Sequence, residues 1–154
     1  MSRSLLALAL ALAIPTTLPA QAAPNLSGTW VLDMDRTDFG MMQGGPRTDV
    51  ITHTEPVIHI ERTAGTPQGE VKATIHYVVD GKPHKNTVGP NEVTSVLRWD
   101  GAVLEITSTL MTAQGELTIL DRYTLSQDGK TMTVARTLSA GGQEMGQTMV
   151  YTKG

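Results

Sequence analysis

Residues 98–137 read RWDGAVLEITSTLMTAQGELTILDRYTLSQDGKTMTVART, and this stretch decides the fold. Side chains alternate through it, with Leu104, Ile106, Ser108 and Leu110 on one side and Glu105, Thr107 and Thr109 on the other. A period of two is that of a strand whose successive side chains point to opposite faces. Asp100–Gly101, Gln114–Gly115 and Asp128–Gly129 interrupt the alternation, and such pairs favour the tight turns of antiparallel hairpins. Strand-length runs joined in this way describe a meander, not a helix bundle.

The rhythm continues in both directions. Asp80–Gly81 and Gly141–Gly142 supply further turns, while Pro56, the Gly65–Gly69 stretch and Gly89-Pro90-Asn91 supply looser ones. About ten strands are expected, near 28–33, 47–54, 57–63, 70–79, 82–88, 92–99, 102–112, 116–126, 130–139 and 143–152. Met34 to Pro46 breaks the pattern, as a loop or a short helical turn. A sequential meander has two free edges unless its first and last strands meet. The expected fold is therefore all-β: an antiparallel up-and-down meander closing into one barrel over residues 28–154.

The first residues differ from all that follow. Met1 to Arg3 gives a positive start, Leu5 to Ile14 is unbroken Leu, Ala and Ile, and Pro15 and Pro19 end any helix. Ala20-Gln21-Ala22 then offers a small-x-small cleavage pattern. This is the grammar of a signal peptide over residues 1–22, with an apolar core too short for a permanent anchor. Residues 23–27 would form a short N-terminal tail. The signal is of bacterial type and predicts a periplasmic or extracellular protein. The chain has no cysteine, so it has no disulfide and no lipid-modified cysteine tether, and is expected to be soluble after cleavage. Loss of Arg3 moves the formal charge from −3 to −4, and no basic block offers a footprint for nucleic acid. Outward positions such as Glu105, Thr107, Thr109, Thr118, Arg122 and Thr124 argue against a lipid-facing barrel.

Two-residue turns predict strand partners. Leu97 opposes Leu104 and Ser95 opposes Ile106 across Asp100–Gly101; Ile106 opposes Tyr123 and Ser108 opposes Asp121 across Gln114–Gly115. Tyr123 opposes Val134 and Asp121 opposes Arg136 across Asp128–Gly129; Met132 opposes Tyr151 and Arg136 opposes Gln147 across Gly141–Gly142. Across Asp80–Gly81, Tyr77 opposes His84 and Ile75 opposes Asn86, and Asn86 meets Ser95 across the next turn. A one-residue slip would turn every apolar partner outward, so the faces are well specified. The interior is apolar except for one polar row: Ser108, Asp121, Arg136 and Gln147.

Gly28-Thr29-Trp30 opens the first strand, Arg98-Trp99-Asp100-Gly101 marks a mid-chain hairpin, and Val150-Tyr151-Thr152-Lys153 ends the chain. Set in a ten-strand meander, these resemble the calycin group, the lipocalins and fatty-acid-binding proteins. The resemblance covers most of the chain in architecture but only these three places in motif. It implies a barrel that binds a small, partly apolar ligand, with Arg136 and Tyr151 or Tyr123 holding a carboxylate. The chain departs from fatty-acid-binding proteins in one respect. Residues 34–46 leave little room for a helix-turn-helix lid.

An interior Arg demands a partner, because an isolated buried charge is costly. Asp121 supplies one to Arg136, with Gln147 and Ser108 nearby, and the pair reads either as a ligand anchor or as a structural strut. The candidate ligand-binding residues are Arg136, Asp121, Gln147, Ser108, Tyr123, Tyr151, His84, Asn86 and Trp30. No metal is expected: His53 and His59 flank the Glu55–Pro56 turn, but no third His clusters with them, and zinc needs three or four converging ligands. Asp33, Asp35 and Asp38 do not make a calcium loop, since Asp38 and Gly44 stand where that pattern needs Gly and Glu. Met34, Met41 and Met42 could form an apolar lip at the barrel mouth. No nucleophile elbow, phosphate loop or Cys–His pairing implies catalysis or a cofactor. Three functions remain open: an exported barrel binding a small hydrophobic or amphipathic ligand, an interaction or structural barrel with a filled core, and an enzyme acting on a molecule inside.

Overall fold

The computed structural model describes residues 22–88 and 91–154. The expected signal segment and the Gly89–Pro90 turn lie outside the described residues, with Ala22 at the boundary. The first five strands are β1 (Gly28–Leu32), β2 (Arg47–Thr54), β3 (Val57–Thr66), β4 (Gly69–Val78) and β5 (Pro83–Val88). They are followed by β6 (Asn91–Asp100), β7 (Val103–Thr112), β8 (Gly115–Leu125), β9 (Thr131–Ala140) and β10 (Gln143–Lys153). The ten form one sheet in the order β4-β3-β2-β1-β10-β9-β8-β7-β6-β5, every ladder antiparallel. First and last strands meet as expected, through Trp30 opposite Lys153 and Leu32 opposite Tyr151.

The barrel is nearly, not fully, closed. β4 and β5 form no ladder, so Tyr77 does not pair with His84 nor Ile75 with Asn86. The Asp80–Gly81 turn spends its backbone donors elsewhere: Val79 N–H goes to Pro56 O at 2.7 Å and Gly81 N–H to Leu97 O at 2.9 Å. Tied to the β2–β3 turn and to β6, the corner is wide and the two strands part.

Turn placement explains the other differences in register. Ala140 pairs with Gln143 around Gly141 and Gly142, whose φ values of 57° and 79° are those of a type I′ turn. Asp121 opposite Arg136 and Arg136 opposite Gln147 are the expected partners. At the Asp100–Gly101 hairpin the two loop residues are instead Gly101 and Ala102, and Leu97 faces Ile106. At the next hairpin they are Ala113 and Gln114, so Ile106 faces Asp121 and Ser108 faces Ile119. β5 and β6 shift likewise, with His84 opposite Ser95 and Asn86 opposite Val93. A turn displaced by one residue moves each partner by two, which leaves the faces unchanged.

The packed core fills the end of the barrel where Trp30, Leu97, Leu104, Met132 and Tyr151 are all buried. Leu26 belongs to it at 1% exposure, so the short N-terminal tail is part of the core. Its N–H meets His53 Nδ1 at 3.2 Å, and its carbonyl accepts the Trp30 indole N–H at 2.9 Å. The Lys153 ammonium lies 5.2 Å from the Trp30 ring centroid, a cation–π contact at the closed end. Residues 34–46 carry no helix; a bridge between Asp38 and Thr148 holds them against β10. No helix of the described residues is long and apolar enough to cross a membrane. Glu105 faces outward as expected yet is covered, because Arg98 and Arg122 close over its carboxylate and hold its pKa below the ordinary value.

Leu104→Ala should cost about 2–5 kcal/mol through the cavity it leaves, whereas Met111→Ala at the exposed hairpin should stay within about 0.5 kcal/mol. Urea unfolding measures both, and equal losses would contradict the assigned faces.

Candidate functional site

The inward faces change character along the barrel axis. Below, aliphatic and aromatic side chains are fully buried; above, Leu110, Leu117, Ile119, Leu138 and Met145 face inward yet remain only half-buried. A cavity of about 190 Å³ opens between these levels, reaching Arg62, Tyr77, Ser108, Asp121 and Arg136. It is smaller than the roughly 300–1,000 Å³ of drug-sized sites and suits a compact group. Larger hollows lie elsewhere. One of about 740 Å³ is an open groove between the β7–β8 and β9–β10 tips, lined by Glu116 and Glu144 and by no cation. Another, about 300 Å³, puts Met41 and Met42 beside Leu117, Leu138 and Met145 as an apolar mouth.

Two ion pairs form a polar belt around the cavity. Arg136 on β9 grips Asp121 on β8 with both ends of its fork, each bond 2.7 Å. Arg62 on β3 grips Asp49 on β2 in the same way, at 2.8 and 2.7 Å. Burial works against the charge on each guanidinium, but the hydrogen bonds and the charge of the facing carboxylate outweigh it. Both pKa values therefore rise, and both arginines stay cationic. Burial also pushes the Tyr77 and Tyr123 hydroxyls up, keeping them neutral donors. Asp49–Arg62 was missed by sequence reasoning. The available signal was the Glu55–Pro56 turn: read as a two-residue turn, with Thr54 opposite Val57, it puts Asp49 opposite Arg62 on the inner face.

Arg47 is a third inward guanidinium, and among the described residues no carboxylate meets it. Its Nη1 donates to Tyr151 Oη at 3.2 Å and approaches Met149 Sδ at 3.5 Å. Its buried Nε has no partner. The three arginines thus face two aspartates, leaving the interior one positive charge in excess.

The remaining predicted residues scatter. Ser108 is not in the Asp121–Arg136 row; it bonds Ser95 at 2.9 Å in its own buried pair. Gln147 flanks Arg136 in register, but its amide donates to Phe39 O at 3.0 Å and anchors the 34–46 loop. His84 bonds Asp80 at 2.9 Å beside the wide corner and does not line the cavity. Asn86 keeps a buried, unpartnered Nδ2. Trp30 is sealed in the closed end, and Tyr123 lies in the buried core below the belt. His53 points inward and His59 outward, because alternation puts them on opposite faces; they cannot share an ion. Among the described residues no group of three or more His, Cys, Asp or Glu side chains converges for a metal.

No family model matches the chain, and no curated protein matches it in sequence. Solved structures match it in shape. A secretory abundant heat soluble protein from Ramazzottius varieornatus superposes with a TM-score of 0.64 at 12% identity, covering 86% of this chain and 98% of that one. Zebrafish ileal bile acid-binding protein, complexed with cholic acid, gives 0.58 at 14%, covering 84% and 98%. The fatty-acid-binding protein of Manduca sexta gives 0.53 at 16%, covering 84% and 99%. The fold is calycin-like, and at these identities the likeness is one of fold.

Asp121→Asn should destabilise the protein by about 3–5 kcal/mol, because Arg136 would keep its charge without a counter-ion. The double variant Asp121→Leu with Arg136→Met should lose much less in the same urea titration.

Proposed function

We propose that this chain is an exported barrel that holds a small anionic amphiphile in its interior. The observation that carries this reading is the cavity ending on Arg62 and Arg136 in an interior where three guanidiniums, with Arg47, face the two carboxylates of Asp49 and Asp121. Arg62 and Arg136 are already paired, so an anion would compete for them; the uncompensated charge of Arg47 tips the balance in its favour. The head group would sit at the belt, taking hydrogen bonds from Ser108 or Tyr77. The apolar part would run toward the mouth along Leu110, Ile119 and Leu138, which have surface left to cover. Two fold neighbours support the class: one carries cholic acid, and the other is named for fatty acids.

Calorimetric titration with decanoate and with decanol tests the reading. Saturable binding of decanoate, weakened about tenfold or more by Arg47→Gln while decanol binding is unchanged, is the expected result. Arg47→Gln removes the excess charge without stranding a carboxylate, so folding should survive. If neither probe binds saturably, the filled, structural barrel takes its place, a reading that the packed lower half and the self-satisfied ion pairs favour. For export, the mature protein recovered from the periplasm or medium should begin at Ala23 by N-terminal sequencing. A protein retained in the cytoplasm with Met1 intact would overturn that part.

A further inference from the structure

The outer face carries a feature unconnected with the cavity. His59 on β3 stands directly opposite His76 on β4, and their Nδ1 atoms are 3.1 Å apart. The rings are tilted by 52° with centroids 4.4 Å apart, and His76 is exposed while His59 is half-buried. Glu61 Oε1 lies 3.5 Å from His59 Nε2, on the far side of that ring.

We infer that His59 and His76 form a surface site for a first-row divalent cation, chelated by the two Nδ1 atoms and completed by water. At a metal–nitrogen distance of about 2.05 Å, nitrogens 3.1 Å apart subtend an angle of about 98° at the ion, between square-planar and tetrahedral values. The ladder already holds the two nitrogens together in a hydrogen bond, which the ion would replace, its proton passing to solvent or to Nε2 as the rings turn toward the metal. Glu61 acts at the second level: a carboxylate facing Nε2 favours the proton there and leaves the Nδ1 lone pair for the metal. Imidazole ligands suit copper, nickel and zinc, and the general order of stabilities puts Cu²⁺ first. Two protein ligands leave the coordination shell open to water, unlike the closed four-ligand shell of a structural site. Its place matters, because β4 is one of the sheet's two free edges, and a bound ion would staple that strand to β3.

Copper titration of the full mature chain tests this. One Cu²⁺ per chain should bind, and its paramagnetic resonance spectrum should show coupling to two imidazole nitrogens. His59→Ala and His76→Ala should each weaken binding about tenfold or more, while His84→Ala, at the half-buried histidine bonded to Asp80, should leave it unchanged. No stoichiometric binding, or binding that persists in the His59/His76 double variant, overturns the site. Should circular dichroism show either variant unfolded, the wild-type spectrum decides, and coupling to fewer than two imidazole nitrogens overturns it.

Discussion

Two guanidinium–carboxylate forks set the depth to which this barrel can pack. Asp121–Arg136 and Asp49–Arg62 stand four strands apart in the ten-stranded sheet, on facing walls of the interior. A buried charge holds its place only while its hydrogen bonds are met, so aliphatic side chains cannot close over both forks. Packing therefore stops at the belt. Below it lie Trp30, Leu97, Leu104 and Met149, each at 2% exposure or less. Above it the wall is apolar but only half-buried. The division of the interior into a solid half and a hollow half follows from where four charged residues fall in the alternation of their strands.

Much of this was legible because a strand has a period of two. Facing depends only on parity, and a turn moved by one residue leaves parity intact, as Ser108 shows: its partner is Ile119, not Asp121, yet it still points inward. Partners were legible where the turn was unambiguous, as around Gly141–Gly142. They were not where a proline obscured turn length, which hid Asp49–Arg62. The parting of β4 from β5 was beyond local reading altogether. It depends on Gly81 reaching Leu97 and Val79 reaching Pro56, contacts between segments far apart in sequence. Glu105 makes the same point on the outer face, where burial comes from Arg98 and Arg122 on neighbouring strands.

Shape alone says little about what such a barrel carries, since one fold hosts many functions. Here the distinguishing features are chemical: an unmatched guanidinium beside Tyr151, and a mouth covered by a pinned loop. That loop is held against β10 by Asp38 and Thr148 exchanging backbone hydrogen bonds of 2.8 Å, by Gln147 reaching Phe39 and by Val150 donating to Thr37. It occupies the stretch where a helical lid would need room.

The wide corner at Val79–Lys82 gives the barrel a seam. Because β1 and β10 are paired in the middle of the sheet, its first and last strands are stitched together while the sheet's true ends lie mid-chain. Cutting the backbone there and joining the end of β10 to the start of β1 would produce a permuted chain whose strand order matches its spatial order from edge to edge. The operation severs no ladder and disturbs only the two backbone hydrogen bonds that tie the corner down. In topological terms the molecule is a rolled ribbon, its seam crossed by the chain and a few isolated hydrogen bonds but by no ladder.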